Sequence, residues 1–157
     1  MADVTLRTVD AELFAAVVAL RVTEEQAGWV APNLKSLAQA ATDPALRAYA
    51  VFDAAERGMV VPTSPPVGFA LLEIRAGVGF IQRVMIDTSH QRRGYGRALM
   101  LELVRRLLLD PDAEMTAVSH RRDNQPMGAL LASLGFVPWS TPWPDPDPDE
   151  MYLRIPP

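Results

Sequence analysis

The chain has 157 residues, of which 49% are hydrophobic, and it carries a formal net charge of −4. This length suits one domain that buries about two-thirds of its unfolded surface. The mild acidity argues against general nucleic-acid binding, and the absence of cysteine excludes thiol nucleophiles, cysteine zinc sites and disulfides. Neither a basic, apolar leader nor a membrane-length apolar run is visible, so we expect a cytoplasmic protein without a membrane partner.

The first half of the sequence predicts two strands and two helices. Apolar residues alternate in the strand-like segments and recur at helical spacing in the others. Asp10 is the expected N-cap of the first helix, and Pro32-Asn33 opens the second. The predicted elements are a strand at Val4 to Val9, a helix through Leu13, Phe14, Val17, Val18 and Leu20, a helix ending at Thr42-Asp43-Pro44, a strand at Leu46 to Asp53 and an exposed turn at Gly58 to Pro66.

The second half predicts a hairpin followed by a helical crossover. Ala76-Gly77 is the expected turn between strands at Val67 to Arg75 and Val78 to Asp87. Further elements are a helix at Ala98 to Leu109, a strand at Glu114 to Ser119, a helix from Asn124, and strands at Val137 to Trp139 and Met151 to Ile155. This order predicts one α/β domain (α+β type) with a mixed, mostly antiparallel sheet of six to seven strands and helices on both faces.

The most informative segment is Gln91-Arg92-Arg93-Gly94-Tyr95-Gly96, which joins a strand to a helix. A basic, glycine-bearing turn that opens a helix gathers unpaired backbone N–H groups and the positive helix end at one point. Such a point suits a phosphate. Eight of the fifteen Lys and Arg residues lie between Arg83 and Arg122, which suits one polyanionic ligand.

Two familiar phosphate motifs do not fit this segment. A nucleotide P-loop requires Gly-Lys-Ser/Thr, whereas Arg97 and Ala98 follow the glycines here. A dinucleotide fingerprint requires a third glycine, and Leu99 occupies that position. The remaining interpretation is a pyrophosphate site of backbone amides and arginines that needs no metal.

The pattern Gln/Arg-x-x-Gly-x-Gly after a hydrophobic strand resembles the acetyl-CoA loop of the GNAT superfamily of N-acetyltransferases. The likeness extends over residues 66 to 138 and includes the segment from Asn124 to Gly135-Phe136. It implies a GNAT fold and acetyl transfer from acetyl-CoA to a primary amine by direct attack in a ternary complex. It also implies the coenzyme-binding residues Val84, Met85, Ile86, Gln91, Arg92, Arg93, Gly94, Tyr95, Gly96, Arg97 and Asn124.

The resemblance assigns these residues to different parts of the coenzyme. Backbone groups of Val84 to Ile86 would bind the pantetheine arm, with one N–H facing the thioester oxygen. The loop Gln91 to Arg97 would hold the pyrophosphate. Asn124 would contact the coenzyme near its β-alanine portion, while also serving as the N-cap of the following helix.

The sequence departs from the family at two catalytic positions. Leu131 stands where many relatives have a tyrosine that protonates the thiolate, and Gln82 stands where polyamine-acetylating relatives often have a carboxylate. Three residues remain as catalytic candidates. Glu73 should lie opposite Phe80, on the same sheet face as Gln82 and Val84, either as a base acting through a water or as a solvent-facing charge. His120 is either a base near the gap or a surface residue, and Tyr152 is either a proton donor or a core tyrosine.

The acceptor site is indicated by weaker features. The segment Arg21 to Gln26 is similar to bacterial diamine and spermidine acetyltransferases, and this resemblance implies that Glu24 and Glu25 line the amine site. Gln82, at the position of the relatives' carboxylate, is the third expected acceptor residue. The loop Ser140 to Glu150, with four prolines and four carboxylates, is either a solvated connector or an acidic rim for a cation. We expect a polyamine-like acceptor; a coenzyme-binding module with little turnover and a protein or peptide acetyltransferase stay open. A homodimer is expected, with an apolar strand edge near Met151 to Ile155 as its contact.

Overall fold

The alternating apolar segments form one seven-stranded sheet in the computed structural model, which describes residues 1–157. The strands are β1 (Val4–Thr8), β2 (Leu46–Asp53), β3 (Gly68–Arg75), β4 (Val78–Ile86), β5 (Met115–Arg121), β6 (Val137–Pro138) and β7 (Glu150–Arg154). Their order across the sheet is β1-β2-β3-β4-β5-β7-β6. Only the β4–β5 pair is parallel, so the predicted mixed, mostly antiparallel sheet is confirmed.

Helices cover both faces of the sheet because each face is apolar. The helices are α1 (Phe14–Ala19), α2 (Asn33–Thr42), α3 (Tyr95–Leu109) and α4 (Gln125–Ser133). One core packs α3 and α4 on the sheet through Leu99, Leu103 and Leu131. The other packs α1 and α2 on the opposite face through Val17 and Leu37. No helix is both long enough and apolar enough to cross a membrane.

The turn residues determine how the elements connect. Ala76 and Gly77 both have left-handed backbone angles, with φ of 52° and 81°, and they form the predicted hairpin turn between β3 and β4. Asp10 accepts a hydrogen bond from the Leu13 N–H at 3.0 Å, which stabilises the turn before α1. Helix α3 begins at Tyr95, inside the glycine-bearing loop.

A β-bulge in β4 changes which side chains face each side of the sheet. Arg83 pairs with Leu71 and Ile81 pairs with Leu72, so Gln82 has no partner on β3. The extra residue shifts the alternation by one. Ile81 therefore faces the α3 core, and Val84 does so as well. The expectation that Val84 shares a face with Glu73 and Gln82 is wrong, because the bulge reverses the alternation after Gln82.

Strands β4 and β5 separate after a short parallel contact. They pair only from Val78 to Ile81 on β4 and from Met115 to Val118 on β5. Beyond this point β4 continues against β3, while β5 continues against β7. The edge of β4 from Gln82 onward consequently faces a gap in the sheet.

Strand β7 lies inside the sheet rather than at its edge. It pairs with β5 on one side and with the two-residue strand β6 on the other. The strand edge expected near Met151 to Ile155 is therefore largely covered, because Pro138 and Val137 pair with Leu153 and Arg154. Strand β7 also begins at Glu150, a residue that the sequence placed in the preceding connector.

Candidate active site

The loop between β4 and α3 presents a run of unused backbone donors. None of the N–H groups from Gln91 to Arg97 donates to a protein acceptor, and the first helical bond of this turn runs from Ala98 to Gly94 at 3.1 Å. Arg92 and Gly94 have φ of 62° and 87°, which curls the loop at the start of α3. Free N–H groups at a helix N-terminus bind anionic groups well.

Side chains around the loop hold it in this shape. The Gln91 amide donates to the Ile86 carbonyl oxygen at 3.0 Å and to the Gln26 side chain at 2.8 Å. The Tyr95 hydroxyl donates to the Asp53 carboxylate at 2.5 Å. This hydrogen bond lowers the pKa of Asp53 and raises that of Tyr95. The side chains of Gln91 and Tyr95 thus position the loop and leave its backbone N–H groups free.

Asp87 connects the end of β4 to the segment after α1. Its carboxylate accepts a hydrogen bond from the Arg21 N–H at 2.8 Å, while the Thr88 N–H donates to the Arg21 carbonyl at 2.7 Å. Burial raises the pKa of Asp87, but hydrogen bonds from Ser89 and Arg21 outweigh it, so that the pKa is lowered. Asp87 therefore fixes the segment after α1, which carries Gln26, next to the loop from Gln91 to Arg97.

The arginines of the loop differ in whether they bind another part of the protein. Arg92 and Arg93 are exposed and form no ion pair in the structure. Arg97 is also exposed and donates to the Ser133 hydroxyl at 3.0 Å, which links α3 to α4. Two guanidinium groups next to the free N–H groups add positive charge where a pyrophosphate would bind.

A groove of about 740 Å³, counting its open side, begins at this loop and follows the free edge of β4. Nine of its fourteen lining residues are hydrophobic, which suits the arm of a long ligand. It unites six predicted coenzyme residues with residues of the segment after α1 and of α4. The lining residues are Val22, Gln26, Trp29, Val30, Val84, Met85, Ile86, Gln91, Gly96, Leu99, Asn124, Pro126, Met127 and Leu130.

The polar groups of this groove belong to Asn124 and to the free edge of β4. The Asn124 side-chain carbonyl oxygen accepts from the Met127 N–H at 3.2 Å, so the predicted N-cap is confirmed, and the amide NH₂ has no partner in the protein. The backbone groups of consecutive residues point to opposite edges of a strand. The Asp87 N–H binds the Val67 carbonyl oxygen on the β3 side, so the backbone groups of Val84, three residues earlier, point to the gap. A side chain at Gly96 would meet no atom within 4 Å, so the groove is open at that position.

A second cavity of about 790 Å³ lies on the other side of the gap. The two linings come from consecutive residues on β4, because Arg83 lines the cavity and Val84 lines the groove. Its walls come from β3, β4, β5, β7 and the acidic loop before β7. The lining residues are Glu73, Phe80, Gln82, Arg83, Ser119, Trp143, Asp147, Glu150 and Tyr152.

Aromatic side chains form one wall of this cavity. The ring of Trp143 meets Phe80 edge-on at 5.3 Å and Tyr152 at 5.6 Å between centroids. Three carboxylates, of Glu73, Asp147 and Glu150, line the same space. Aromatic faces together with carboxylates attract cations, so the acidic loop is part of a cavity wall.

The predicted catalytic residues occupy different places. Glu73 lies opposite Phe80, as predicted, and its carboxylate accepts from the Gln82 amide at 3.2 Å. The Tyr152 hydroxyl accepts from the Asp147 N–H at 3.1 Å. His120 faces α4, where its ring lies 3.3 Å from a Cβ built on Gly128, and it lines neither the groove nor the cavity.

The expected acceptor residues are only partly in the cavity. Gln82 lines it, whereas Glu24 and Glu25 are exposed in a 3₁₀ turn and line neither space. Leu131, at the position of the family's tyrosine, is completely buried in the α3–α4 core. No hydroxyl can act from there.

Six lining residues of the cavity were not predicted individually. They are Phe80, Arg83, Ser119, Trp143, Asp147 and Glu150. Arg83 donates to the Ser36 hydroxyl at 3.0 Å and also to Gln39, which fixes it against α2. Burial raises the pKa of Glu150. Trp143, Asp147 and Glu150 belong to the loop that the sequence left open as an acidic rim, but nothing local indicates that β7 carries this loop next to β4.

The fold recurs in solved acetyltransferase structures of low sequence identity. A spermidine N-acetyltransferase from Vibrio cholerae, in complex with CoA and spermine, superposes with a TM-score of 0.70 at 17% identity over 97% of this chain and 93% of that one. An acetyltransferase from Thermus thermophilus gives 0.64 at 15% identity over 97% and 96%. The NatC complex bound to Gag peptide and CoA gives 0.59 at 12% identity over 97% and 96%.

The family assignment rests on the sequence itself. No curated protein sequence matches the chain significantly. Residues 14–136 match the family described as Acetyltransferase (GNAT) family, and this span contains the phosphate loop, the groove and the gap between β4 and β5. The chain therefore belongs to the GNAT family of acetyltransferases.

Proposed function

We propose that this N-acetyltransferase moves the acetyl group of acetyl-CoA to the primary amine of a small, polyamine-like cation by direct attack in a ternary complex. The coenzyme occupies the groove, with its pyrophosphate on the free N–H groups of Gln91 to Arg97 and beside Arg92 and Arg93. No metal takes part. The fit is supported by the open space over Gly96 and by the apolar lining of the groove.

Groups at the gap carry the chemistry in this proposal. A backbone N–H at the free edge of β4, at Val84 or Ile86, donates to the thioester oxygen and polarises the carbonyl. The free amide NH₂ of Asn124 donates to the coenzyme arm. The Tyr152 hydroxyl accepts one hydrogen bond, which leaves its own hydrogen free for the departing thiolate sulfur.

The observation that carries the choice of acceptor is the composition of the cavity. It has three carboxylates, three aromatic rings and one cation, Arg83. Opposite charges and ring faces favour an ammonium group over an anion. The structural similarity to a spermidine N-acetyltransferase in complex with spermine supports the same acceptor class, and Glu73 contributes negative charge to it.

A peptide N-terminus is the second candidate acceptor. The guanidinium of Arg83 could bind a peptide carbonyl or carboxylate in the cavity, and the similar NatC structure holds a Gag peptide. Mass spectrometry of a peptide library treated with enzyme and acetyl-CoA would separate the candidates. Acetylated peptides without polyamine turnover would favour this second acceptor.

A thiol-release assay with acetyl-CoA tests the proposal directly. Polyamines, amino acids, aminoglycosides and short peptides serve as acceptors, and calorimetry with CoA runs alongside. We expect polyamine-dependent release of thiol. Coenzyme binding without release by any acceptor would refute the proposal and favour a coenzyme-binding module with little turnover.

The proposal also includes a cytoplasmic homodimer. Exposed apolar side chains on the outer face of α3, at Leu101, Leu108 and Leu109, provide surface for a second copy. Light scattering on the purified protein measures the mass in solution. A monomer at micromolar concentration would contradict the dimer and leave the proposed reaction unaffected.

A further inference from the structure

The carboxyl group of Glu150 is the unpartnered acid of the acceptor cavity. It is the first residue of β7 and lies opposite Arg121 of β5, just beyond the point where β4 and β5 separate. Its Oε2 atom is buried and has no hydrogen-bond partner. Neither oxygen lies within ion-pair distance of an arginine. Glu150 as a whole is half-buried, but a shielded carboxylate oxygen without a partner is costly. Its presence in a ligand cavity therefore indicates a role toward the ligand.

The other acids and bases near the gap are already engaged. Glu73 binds the Gln82 amide and lies 3.5 Å from Arg75. His120 faces α4 on the opposite side of the sheet, and its Nδ1 atom lies 2.7 Å from the Arg121 carbonyl oxygen. Among these groups only Glu150 both lines the cavity and keeps its oxygens free for an incoming ammonium group.

We propose that Glu150 is the general base of the reaction and that it receives a proton from the acceptor ammonium group. This assignment rests on the proposed transfer to a cationic amine. The carboxylate both attracts the ammonium group and removes its proton, as a base within hydrogen-bond reach can do.

The charges around Glu150 suit this task. Burial raises its pKa, the charges of Asp147 and Asp149 raise it further, and Arg121 and Arg83 oppose them. Glu73 and the hydroxyl of Tyr152 also line the cavity. A carboxyl with a raised pKa binds a proton more readily than an exposed one, and a base works best when its pKa approaches the operating pH.

The proton and electron balance of the step is complete. Glu150 takes one proton from the ammonium group and frees the nitrogen lone pair, which attacks the thioester carbon. The C–N bond forms and the C–S bond breaks, and the sulfur leaves with its electron pair. The nitrogen loses a second proton as the amide forms, the thiolate gains one, and Glu150 releases its proton to solvent.

The test compares Glu150→Gln with wild type and with the matched control Asp145→Asn. Asp145 is exposed in the same loop and lines neither the groove nor the cavity. For Glu150→Gln we expect kcat to fall about 100-fold or more, the acid limb of the kcat/KM profile to disappear, and CoA affinity to stay within about twofold, because the pyrophosphate site is untouched. For Asp145→Asn we expect wild-type kcat and an unchanged pH profile.

A second variant separates catalysis from folding. Glu150→Asp keeps a carboxyl group but withdraws it from the cavity, so kcat should fall while the acid limb remains. Wild-type enzyme that acetylates no acceptor would refute the proposed function itself. Active wild-type enzyme whose Glu150→Gln variant keeps both its kcat within about threefold and its acid limb would overturn the role of Glu150 alone.

Discussion

A methyl group added at Gly96 should stabilise the fold and weaken coenzyme binding, because the space over this residue is open. Gly96 is the second residue of α3, its backbone angles are outside the left-handed region, and a Cβ there meets no atom within 4 Å. In a helix, alanine in place of glycine stabilises by about 0.5–1 kcal/mol. For a domain of this size Gly96→Ala should raise Tm by about 1–4 °C.

The same methyl group should weaken coenzyme binding. Gly96 lines the groove beside the phosphate loop, so the added atom occupies space that the ligand needs. Overfilling a well-packed space costs about 1–3 kcal/mol, which corresponds to a rise in the Kd for CoA of about 5- to 150-fold. Thermal unfolding without ligand and titration calorimetry with CoA measure the two effects on one sample.

Gly28→Ala is the matched control for this prediction. A Cβ at Gly28 also meets no atom within 4 Å, and the residue does not line the groove. We expect CoA affinity in this variant to stay within about twofold of wild type, because no ligand space is lost. An unchanged CoA affinity in Gly96→Ala would refute the placement of the coenzyme. A lower Tm would refute the open geometry at this residue.

Three further predictions concern the same region. Gly94→Glu should raise the Kd for CoA more than about 100-fold, through backbone strain at φ of 87° and repulsion of the pyrophosphate; calorimetry showing micromolar affinity would contradict this. Asn124→Asp keeps the helix cap but loses the free NH₂, so Tm should hold while the Kd for CoA rises about fivefold, as one hydrogen bond is lost; equal affinity by calorimetry would count against the contact. Tyr95→Phe should lower the free energy of unfolding by less than about 1 kcal/mol at pH 7. Since the hydroxyl lowers the pKa of Asp53, this loss should vanish as pH falls below the folded-state pKa of Asp53. Denaturant unfolding that shows the same loss at acid pH would argue against the hydrogen bond.

The half-buried position of Glu150 also has a consequence for stability. The pKa of Glu150 is raised in the folded protein. The contribution of its protonated carboxyl group to the free energy of unfolding is therefore fully present at low pH, and it is lost as pH rises through the folded-state pKa. Glu150→Gln should therefore be more stable than wild type at neutral pH, with the difference closing in acid. Denaturant midpoints at several pH values measure this, and a variant less stable than wild type at pH 8 would contradict the burial argument.

Much of the architecture followed from local signals in the sequence. The Ala76-Gly77 turn, the strand Leu46–Asp53 and the cap at Asn124 are confirmed, because each depends on the backbone preferences of a few adjacent residues. The phosphate loop could be recognised for the same reason: its free N–H groups arise from a strand, a glycine turn and a helix that are contiguous in the chain.

The acceptor cavity could not be derived in this way. Its walls come from residues as distant in sequence as Phe80 and Tyr152, and their contact depends on β7 inserting between β5 and β6. The bulge at Gln82 likewise depends on the register between β3 and β4. Strand order and register are set by the packing of the whole sheet, and no short segment encodes them.

The sequence by itself determined the elements, the glycine-bearing loop and the resemblance to an acetyltransferase family, because these features consist of neighbouring residues with fixed local chemistry. Only the tertiary structure decided that Val84 faces away from Glu73, that His120 faces α4 and that Glu150 lies unpartnered in the cavity beside the gap. Each of these facts is a consequence of which strands pair and in what register. A carboxylate in an acidic connector becomes a candidate base only when the sheet places it beside the gap.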